Sequence, residues 1–584
     1  MVDTGSSPPY VASSGGPAAP VVSWWHDEGR PGRRNLGGCM RAQRWSRSGR
    51  YLVAVVLVSL IAAACGGGGG GGGGADGGDE GKPKYGGKIV YGLEGITTQF
   101  CIPRAQLAIS GILVAEAVYD TLTRPTRDPN VYAPYLAKSV TPNDDYSEWT
   151  IVIRDGVTFH DGTPLTAEIV KLNIDAWRNG ILLGFVFQNI ADTQVTAPDT
   201  VVVKMKQPWV AFPAYLWATG RTGIAAPAQI ENFADNKTCD TNMIGTGPFK
   251  LKRFDPNTGE VSVVRNENYW RKGFPYLDGI DFKIQGESSQ RINGLQSGEF
   301  DVTHFGWANL DTVKGFGGVE VITEPEGRQE VAHGLTNVTR PPFDDPDARK
   351  AIVMALDRQA LNQIANRGKG RLADQVFDTE VMGYLDDPGF PKYDPDEARK
   401  LVAKYKAAHG GKFEFELQTT FDQTVQQLAQ EIKRQLGKVG ITVNLPAPVD
   451  QATIINKAIG NAVDAFSWRN YPGQDPDTMY VWFRGGSVVN FNKIDDPVMN
   501  EALDQGRVEP DPEKRRELYE RFNRRMSEQA YNMWLWYSQW FVGHKSNVHG
   551  LIGPNLPDES GKPGSEKAVD LFVGYHQMLG IWRS

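Results

Sequence analysis

The residues best suited to catalysis or metal binding show no spacing that would bring them together. The eight histidines form no H-x-x-H or H-E-x-x-H pair, and the sequence contains no G-x-S-x-G elbow. The four cysteines form no C-x-x-C pair and no zinc-ligand spacing; they are Cys39, Cys65, Cys101 and Cys239. We therefore expect no catalytic residue, no metal site and no cofactor, and we do not expect an enzyme.

Aromatic residues are a second source of chemistry, because their flat faces can line a ligand cleft. The chain contains 15 Trp, 20 Tyr and 25 Phe. In one predicted strand near the C-terminus, alternate residues share a face: Trp534, Trp536, Ser538 and Trp540 on one side, and Leu535, Tyr537, Gln539 and Phe541 on the other. We expect core packing for most of this set, and ligand contact for a minority.

Length and charge limit the classes of protein that the chain can represent. A chain of 584 residues is too long for one hydrophobic core, which predicts two or more lobes. The net charge of -7 and the pI of about 5.8 argue against nucleic-acid binding, which needs a basic surface. We therefore expect a large, acidic, globular protein with no nucleic-acid partner.

The N-terminal region has the features of an export signal. Residues 41–50 carry four arginines and no acid, and residues 52–64 form an apolar run that is too short to span a bilayer. Small residues then precede Cys65, which resembles the lipobox of bacterial lipoproteins. An unbroken glycine run follows at residues 66–74 and is typical of a flexible tether. We expect lipidation at Cys65 and anchoring to the outer face of the cytoplasmic membrane.

The limits of this region follow from the same pattern. Residues 1–39 are predicted to be a disordered upstream extension, and Met40 is the expected initiator of a signal peptide over residues 40–64. The tether extends over residues 65–84. Since an exported chain meets an oxidising environment, Cys101 and Cys239 could form a disulfide, although the sequence does not give their distance.

Hydrophobic periodicity predicts a hairpin-rich first half and an α/β second half. In the first half we expect strands at residues 88–93 and 201–205, and a hairpin in which residues 149–153 turn at Asp155-Gly156 into Val157 and Phe159. In the second half, Asp-Pro pairs at residues 345–346, 394–395 and 511–512 predict helix starts. Strands at residues 413–417 and 441–445 around an amphipathic helix predict a parallel β-α-β unit.

Several sequence blocks, in order, resemble the family 5 extracellular solute-binding proteins. The longest is LAKSVTPNDDYSEWTIVIRDGVTFHDGTPLTAEIV at residues 136–170, although Ile169 stands where the family usually has Asp. Within it, Thr166 is expected to cap a helix. The other blocks are GTGPFK (245–250), RNENYW (265–270), GEFDV (298–302), RKAIVMALDR (349–358), WRNYPGQDPD (468–477) and RRELY (515–519). We interpret GTGPFK as a tight crossover between lobes, not a phosphate loop.

The resemblance implies a periplasmic-binding-protein-like type II α/β fold, with two lobes joined by a two-strand hinge and an inserted subdomain. The expected limits are 85–120, 245–335 and 548–584 for lobe I, 121–244 for the subdomain and 336–547 for lobe II. Ligand would bind between the lobes, which close over it. The family serves importers of dipeptides, oligopeptides, nickel complexes and related solutes.

The block at Trp468 carries most of the information about the ligand. In peptide-binding relatives an Asp three residues after this Trp pairs with the ligand amine, and a Pro follows four residues later. Here the position of the Asp is occupied by Tyr471, and the Asp475-Pro476 pair comes one residue later than this spacing. Asp475 could replace it or cap a helix, and Arg469 could favour an anionic group. The resemblance also points to the loop after the first strand and to an aromatic of the C-terminal strand. The candidate ligand-binding residues are Trp468, Arg469, Asn470, Tyr471, Asp475, Trp536, Tyr537, Gly95 and Thr97.

The expected function is that of a substrate-binding lipoprotein of an ABC importer for peptides or peptide-like solutes. Its partners would be a small-molecule or peptide ligand, the permease subunits with their ATPase, and the membrane through the lipid anchor; the chain is expected to be monomeric. The alternative is a ligand-binding sensor or scaffold lipoprotein with the same fold and no transport role. Peptides, modified peptides, sugars, opines and metal chelates all stay open as ligands.

Overall fold

The computed structural model describes residues 82–584, except residues 106, 236 and 472. The predicted upstream extension, the signal peptide, Cys65 and most of the tether therefore lie outside the described residues. The strands are β1 Lys88–Leu93, β2 Thr123–Pro125, β3 Tyr132–Pro134, β4 Ala137–Pro142, β5 Glu148–Ile153, β6 Ile190–Ala197, β7 Thr200–Met205, β8 Phe249–Asp255, β9 Glu260–Arg265, β10 Gly279–Ile284, β11 Val302–Phe305, β12 Val319–Thr323, β13 Glu330–Thr336, β14 Arg371–Leu372, β15 Glu414–Gln418, β16 Thr442–Asn444, β17 Ala465–Asn470, β18 Asn532–Ser538, β19 Phe541–Lys545, β20 Val548–His549 and β21 Trp582–Arg583. The helices are α1 Ile109–Val118, α2 Ala167–Arg178, α3 Gly184–Phe187, α4 Phe212–Tyr215, α5 Pro227–Ile230, α6 Ser288–Ser297, α7 Trp307–Lys314, α8 Pro346–Met354, α9 Arg358–Asn366, α10 Pro395–Ala408, α11 Gln423–Lys438, α12 Gln451–Ile459, α13 Tyr480–Phe483, α14 Pro497–Val508 and α15 Pro512–Glu528.

Two mixed sheets form the centres of two α/β lobes. The first sheet has the order β12-β19-β11-β1-β10-β9-β8, with β1 parallel to both of its neighbours. The second has the order β14-β18-β13-β17-β15-β16, and β15 runs parallel to β16 as the β-α-β pattern predicts. Because these strands are covered by helices, their residues are buried in two large hydrophobic clusters. The α/β, two-lobed fold predicted from the sequence is confirmed.

The chain passes between the two sheets twice. It leaves the first sheet after β12 and enters the second at β13, then returns directly from β18 to β19. The crossing segments are therefore residues 324–329 and 539–540. The expected lobe limits need correction here, because β13 pairs with β17 and β18 of the second sheet, whereas β19 pairs with β11 and β12 of the first.

A separate four-stranded antiparallel sheet, β4-β5-β7-β6, lies within the range predicted for the inserted subdomain. The expected hairpin beyond Asp155-Gly156 is wrong, because β5 pairs with β4 and β7 instead. Val157 and Phe159 bond across a short local turn, to the backbone of Leu165 and Thr163. Period-two alternation cannot distinguish these pairings, since both place the same side chains inward.

Local helix signals work because the cap and its helix are neighbours in sequence. Asp345, Asp394 and Asp511 each accept a backbone N–H as N-cap ahead of a proline at the first helical position. Thr166 caps α2 in the same way through the Ile169 N–H, at 3.4 Å. Asp496-Pro497 starts α14 with the same pattern and was not among the predicted helix starts.

Two further contacts tie the first lobe to the segment that leads into β8. Cys101 and Cys239 are joined by a disulfide, with an S–S distance of 2.01 Å. Gly245 and Gly247 pack against the end of α1, where an added Cβ would lie 2.1 Å and 2.6 Å from the Val118 carbonyl oxygen. GTGPFK is therefore a close-packed entry into β8 and not one of the crossings between the two sheets.

Candidate ligand-binding site

A cavity of about 600 Å³ lies between the two sheets, beside the crossing segments. Its wall combines residues of the first lobe, at the ends of β1 and β11 and the start of α6, with residues of β13, β17 and β18 of the second. This volume is in the range of small-molecule sites, which are commonly apolar clefts with a few fixed polar groups. The fold thus places a ligand-sized space where closing lobes would enclose it.

Much of the cavity wall is aromatic. Trp468 packs edge-to-face on Phe491, with 5.5 Å between ring centroids, and lies 6.4 Å from Trp482. Trp536 and Trp540 line the wall from β18 and the second crossing. Because these rings hold each other in place, they offer flat apolar faces at little entropic cost to a bound solute.

Arg469 bridges the two lobes at the crossing end of the cavity. It extends from β17 and donates to Glu94, which follows β1, at 3.0 Å. It also lies 3.3 Å from Glu330 and stacks over Trp540, with its guanidinium carbon 4.7 Å from the ring centroid. The Trp540 indole N–H donates to Glu330 at 2.9 Å. Arg469 is therefore already neutralised by two carboxylates from this chain.

The pKa values at this end reflect burial opposed by the arginine. Burial raises the pKa of Glu330, although Arg469 works against the shift. Burial acts the same way on Glu94, but Arg469 and His304 together hold the pKa of Glu94 well below its usual range. Burial lowers the pKa of His304, whose Nε2 lies 3.7 Å from Glu94. At neutral pH the cluster therefore contains an ionised Glu94 and a neutral His304.

The other two arginines of the cavity wall have different surroundings. Arg291 donates to three backbone carbonyls, those of Gln285, Gly286 and His304. Arg221 donates from Nε to the Leu107 carbonyl at 3.0 Å, and among the described residues no carboxylate acts on its charge. Two further acids of the wall, Glu287 and Asp422, interact electrostatically with Arg291.

The structure brings most of the predicted ligand-binding residues together. Gly95, Thr97, Trp468, Arg469, Asn470, Tyr471 and Trp536 all line the cavity. The amide oxygen of Asn470 lies 2.8 Å from the His333 Nε2, which fixes the Asn470 side chain. Tyr471 packs on Phe572 at 4.4 Å, and its hydroxyl is buried without a partner among the described residues. Their role as ligand contacts stays a prediction.

Asp475 and Tyr537 lie outside the cavity wall and are corrected here. Asp475 is buried, caps the turn Pro476–Met479 and pairs with Arg515 at 2.6 Å, so it cannot replace the missing carboxylate at Tyr471. Tyr537 follows Trp536 on β18 and therefore points to the opposite face of the sheet. Its hydroxyl donates to the Phe377 carbonyl at 2.7 Å, inside the second lobe.

Sequence reasoning missed Glu94, Glu330 and Arg221. Glu94 had a signal, because it directly follows the first predicted strand and precedes Gly95, which the resemblance had already indicated. Glu330 and Arg221 had none, since each stands in a segment without a recognisable motif. Among the described residues, no group of three or more His, Cys, Asp or Glu is placed to hold a metal ion.

Comparison with known proteins agrees with this arrangement. Residues 131–491 match the family model of bacterial extracellular solute-binding proteins, family 5 Middle. A glutathione-binding protein GsiB of Escherichia coli O6:K15:H31 is 32% identical over 320 residues, which is 53% of this chain and 60% of that protein. The chain therefore spans less than two thirds of the length of the curated relatives that it matches.

Solved structures share the fold over nearly their whole length. The oligopeptide-binding protein AppA from Bacillus subtilis, in complex with a nonapeptide, has a TM-score of 0.73 at 22% identity, covering 80% of this chain and 96% of AppA. AgaA in complex with agropinic acid, from A.tumefacien R10, has a TM-score of 0.71 at 25% identity, covering 81% and 97%. In the described part of the chain, no helix combines the length and apolar character needed to cross a membrane. Family members bind solutes and are not enzymes, and this chain belongs to the bacterial extracellular solute-binding proteins of family 5.

Proposed function

We propose that this chain is the exported substrate-binding component of an ABC importer for peptides or peptide-like solutes. The observation that carries the proposal is the cavity of about 600 Å³ between two lobes, which are linked through only two short crossings in the described chain. Such a connection permits hinge closure around a ligand. The closed form would then present a shape that permease subunits recognise, while a separate ATPase supplies the energy.

The similar proteins support solute import but differ in ligand. GsiB is a glutathione-binding protein, the AppA structure contains a nonapeptide, and the AgaA structure contains agropinic acid. These ligands share carboxylate groups on a flexible, amino-acid-derived frame, and a cavity with aromatic walls and a few charged groups suits that chemistry. We therefore place the ligand among peptides, modified peptides and amino-acid conjugates.

The sequence supports a lipid anchor for the exported chain. An apolar run ending in small residues precedes Cys65, and the glycine run after it supplies a tether. We propose that a monomer, lipidated at Cys65, works at the outer face of the cytoplasmic membrane. Labelling with an alkyne fatty acid should mark the wild-type chain and not Cys65→Ala; equal labelling of both would contradict the anchor.

Direct identification of the bound solute tests the proposed function. Native mass spectrometry of the purified protein, followed by denaturing release, should find one small amino-acid-derived solute per chain. In parallel, thermal-shift titration with glutathione, the dipeptide Met-Leu and agropinic acid should raise the unfolding temperature with at least one of them. A protein that carries no solute and responds to none of these probes would contradict the proposal.

Uptake distinguishes import from sensing. Cells that lack this chain should lose uptake of the radiolabelled solute, and the wild-type gene should restore it. Unchanged uptake combined with an altered transcriptional response to the solute would instead support the sensor function. The readout is transport itself, so it does not depend on the affinity of the isolated protein.

A further inference from the structure

Among the described residues that line the cavity, Arg221 is the arginine without a carboxylate counter-charge. Arg469 is paired with Glu94 and Glu330, and Arg291 donates to three carbonyls and lies within the field of Glu94. Arg221 donates to the Leu107 carbonyl, and no carboxylate of the described residues acts on its charge. An unpaired guanidinium in a cavity wall is costly unless a ligand supplies the missing charge.

The backbone around Arg221 is held in an unusual conformation. Ala218, Thr219 and Gly220 have consecutive positive φ angles of 43°, 56° and 74°. Two of them are not glycine, so the turn is strained and persists only because its surroundings fix it. Gly220 packs on Ile112, where an added Cβ would lie 3.0 Å from the Ile112 methyl group. This packed turn sets the position from which Arg221 enters the cavity wall.

We propose that Arg221 binds a carboxylate group of the transported solute, an inference that rests on the proposed function. Its Nε is held by the Leu107 carbonyl, which leaves the two terminal nitrogens free to donate. A guanidinium presents these N–H groups in a planar fork that matches the two oxygens of a carboxylate. The ligand carboxylate would thus accept hydrogen bonds from the two terminal nitrogens of Arg221, which have no acceptor among the described residues.

The charge of the surrounding wall favours a singly charged anion over a phosphate. Among the described residues that line the cavity, four acids, Glu94, Glu287, Glu330 and Asp422, outnumber the three arginines, so a dianion would be repelled more strongly than a monoanion. Leu182 and Leu183 lie beside Arg221 and add apolar surface. Burial lowers the pKa of Arg221 to about 10, which still leaves the side chain charged at neutral pH.

Isothermal titration with matched ligands tests the proposal on the folded protein. The probes are Met-Leu, glutathione and agropinic acid, and the matched probe is Met-Leu with its carboxylate converted to a carboxamide. The variants are Arg221→Gln, Arg221→Lys and the control Arg253→Gln, which removes an exposed arginine on β8 that pairs with Glu260. Unchanged circular dichroism and unfolding temperature establish that each variant is folded.

We expect Arg221→Gln to weaken binding of the responding probe about a hundredfold, as is typical for loss of a charge-assisted, bidentate contact. Arg221→Lys should lose about tenfold, because the charge stays and the fork is lost, and Arg253→Gln should bind like the wild type. If Met-Leu is the responding probe, its carboxamide should bind weakly to the wild type and show little further loss with Arg221→Gln.

The outcomes separate this proposal from the function on which it rests. Wild-type affinity in Arg221→Gln, or an equal loss in Arg253→Gln, would overturn the role of Arg221 and leave solute binding intact. Binding of the carboxamide as tightly as the acid would overturn it as well. A wild-type protein that binds no probe and holds no co-purified solute would overturn both the proposed function and the role of Arg221.

Discussion

Two arginines mark two regions of one cavity and differ in what the chain has placed around them. At the crossing end, Arg469 has two carboxylate neighbours and an aromatic ring, and it connects β17 to the residue after β1. Elsewhere in the cavity wall, Arg221 has one backbone carbonyl and apolar neighbours among the described residues. The same side chain therefore serves the protein's own structure in one region and stays available to a ligand in the other.

The two regions are also fixed by different means. The Arg469 region is held by the Arg469–Glu94 ion pair, which crosses between the lobes and would separate if the lobes open. The Arg221 region is held within the first half of the chain, where Cys101 leads into residues 102–105 and is bonded to Cys239. The Arg221 region therefore depends on contacts within the first half of the chain, whereas the Arg469 region depends on contact between the two lobes. Four changes test this contrast, in order of expected effect.

The largest effect is expected from removal of the disulfide behind the Arg221 region. Because the Cys101–Cys239 bond closes a loop with a sequence separation of 138, the double variant Cys101→Ser, Cys239→Ser should lose about 4 kcal/mol of unfolding free energy. Urea titration of the oxidised wild type and the variant measures the difference. Reduced wild type is the matched control and should agree with the variant, whereas a loss below about 1 kcal/mol would contradict a stabilising role.

The next largest effect is expected at the Arg469 region. Arg469→Met leaves Glu94 and Glu330 without their cation, and Glu330 is only 6% exposed, so the free energy of unfolding should fall by about 2 kcal/mol. The figure lies below that for a fully buried pair because the Arg469 side chain is 41% exposed. Adding Glu330→Gln to Arg469→Met should recover part of the loss. An unchanged unfolding midpoint would show that the bridge does not stabilise this form.

The contrast between these regions also shows what the sequence could and could not predict. Helix starts at Asp345 and Asp511 were predictable because cap and helix are adjacent, and the parallel pairing of β15 and β16 follows from a continuous β-α-β pattern. The lobe limits were displaced because strand pairing is set by contacts that are distant in sequence. A local pattern cannot show which sheet receives a strand that follows a crossing.

The charges of the cavity illustrate the same limit more sharply. Arg469 was a candidate for an anionic group because it stands beside Trp468, but its partner Glu94 is 375 positions away. Arg221 stands in no recognisable motif. It is a candidate ligand contact because no carboxylate of the described residues neutralises it. Neither the presence nor the absence of a distant partner can be derived from one sequence.

The third effect is expected from protonation of His333, which lies in the cavity wall on β13. Acidification from pH 7 to pH 5 should lower the free energy of unfolding by about 1 to 2 kcal/mol through this residue. Burial lowers the pKa of His333 to about 4, while an unfolded histidine titrates near 6.5. The unfolded chain therefore takes up the proton first, so this contribution to stability is complete above pH 6.5 and is lost as the pH falls toward 4. Unfolding of the wild type and His333→Gln at pH 7 and pH 5 should show the larger acid loss in the wild type. Equal losses in both proteins would contradict the buried, neutral state.

The smallest expected effect is the most informative about the two arginines. Replacing Arg221 should leave the free energy of unfolding unchanged or raise it, whereas replacing Arg469 should lower it. Arg221→Met replaces a half-buried guanidinium that has one hydrogen bond by an apolar chain of similar length, beside Leu182 and Leu183. Without ligand, the free energy of unfolding should stay the same or rise by up to about 1 kcal/mol, since the desolvation cost of an unpaired charge is removed. Urea titration of ligand-free protein measures it, with Arg469→Met as the comparison. A loss as large as that of Arg469→Met would mean that Arg221 serves the structure and that the chain treats its two arginines alike.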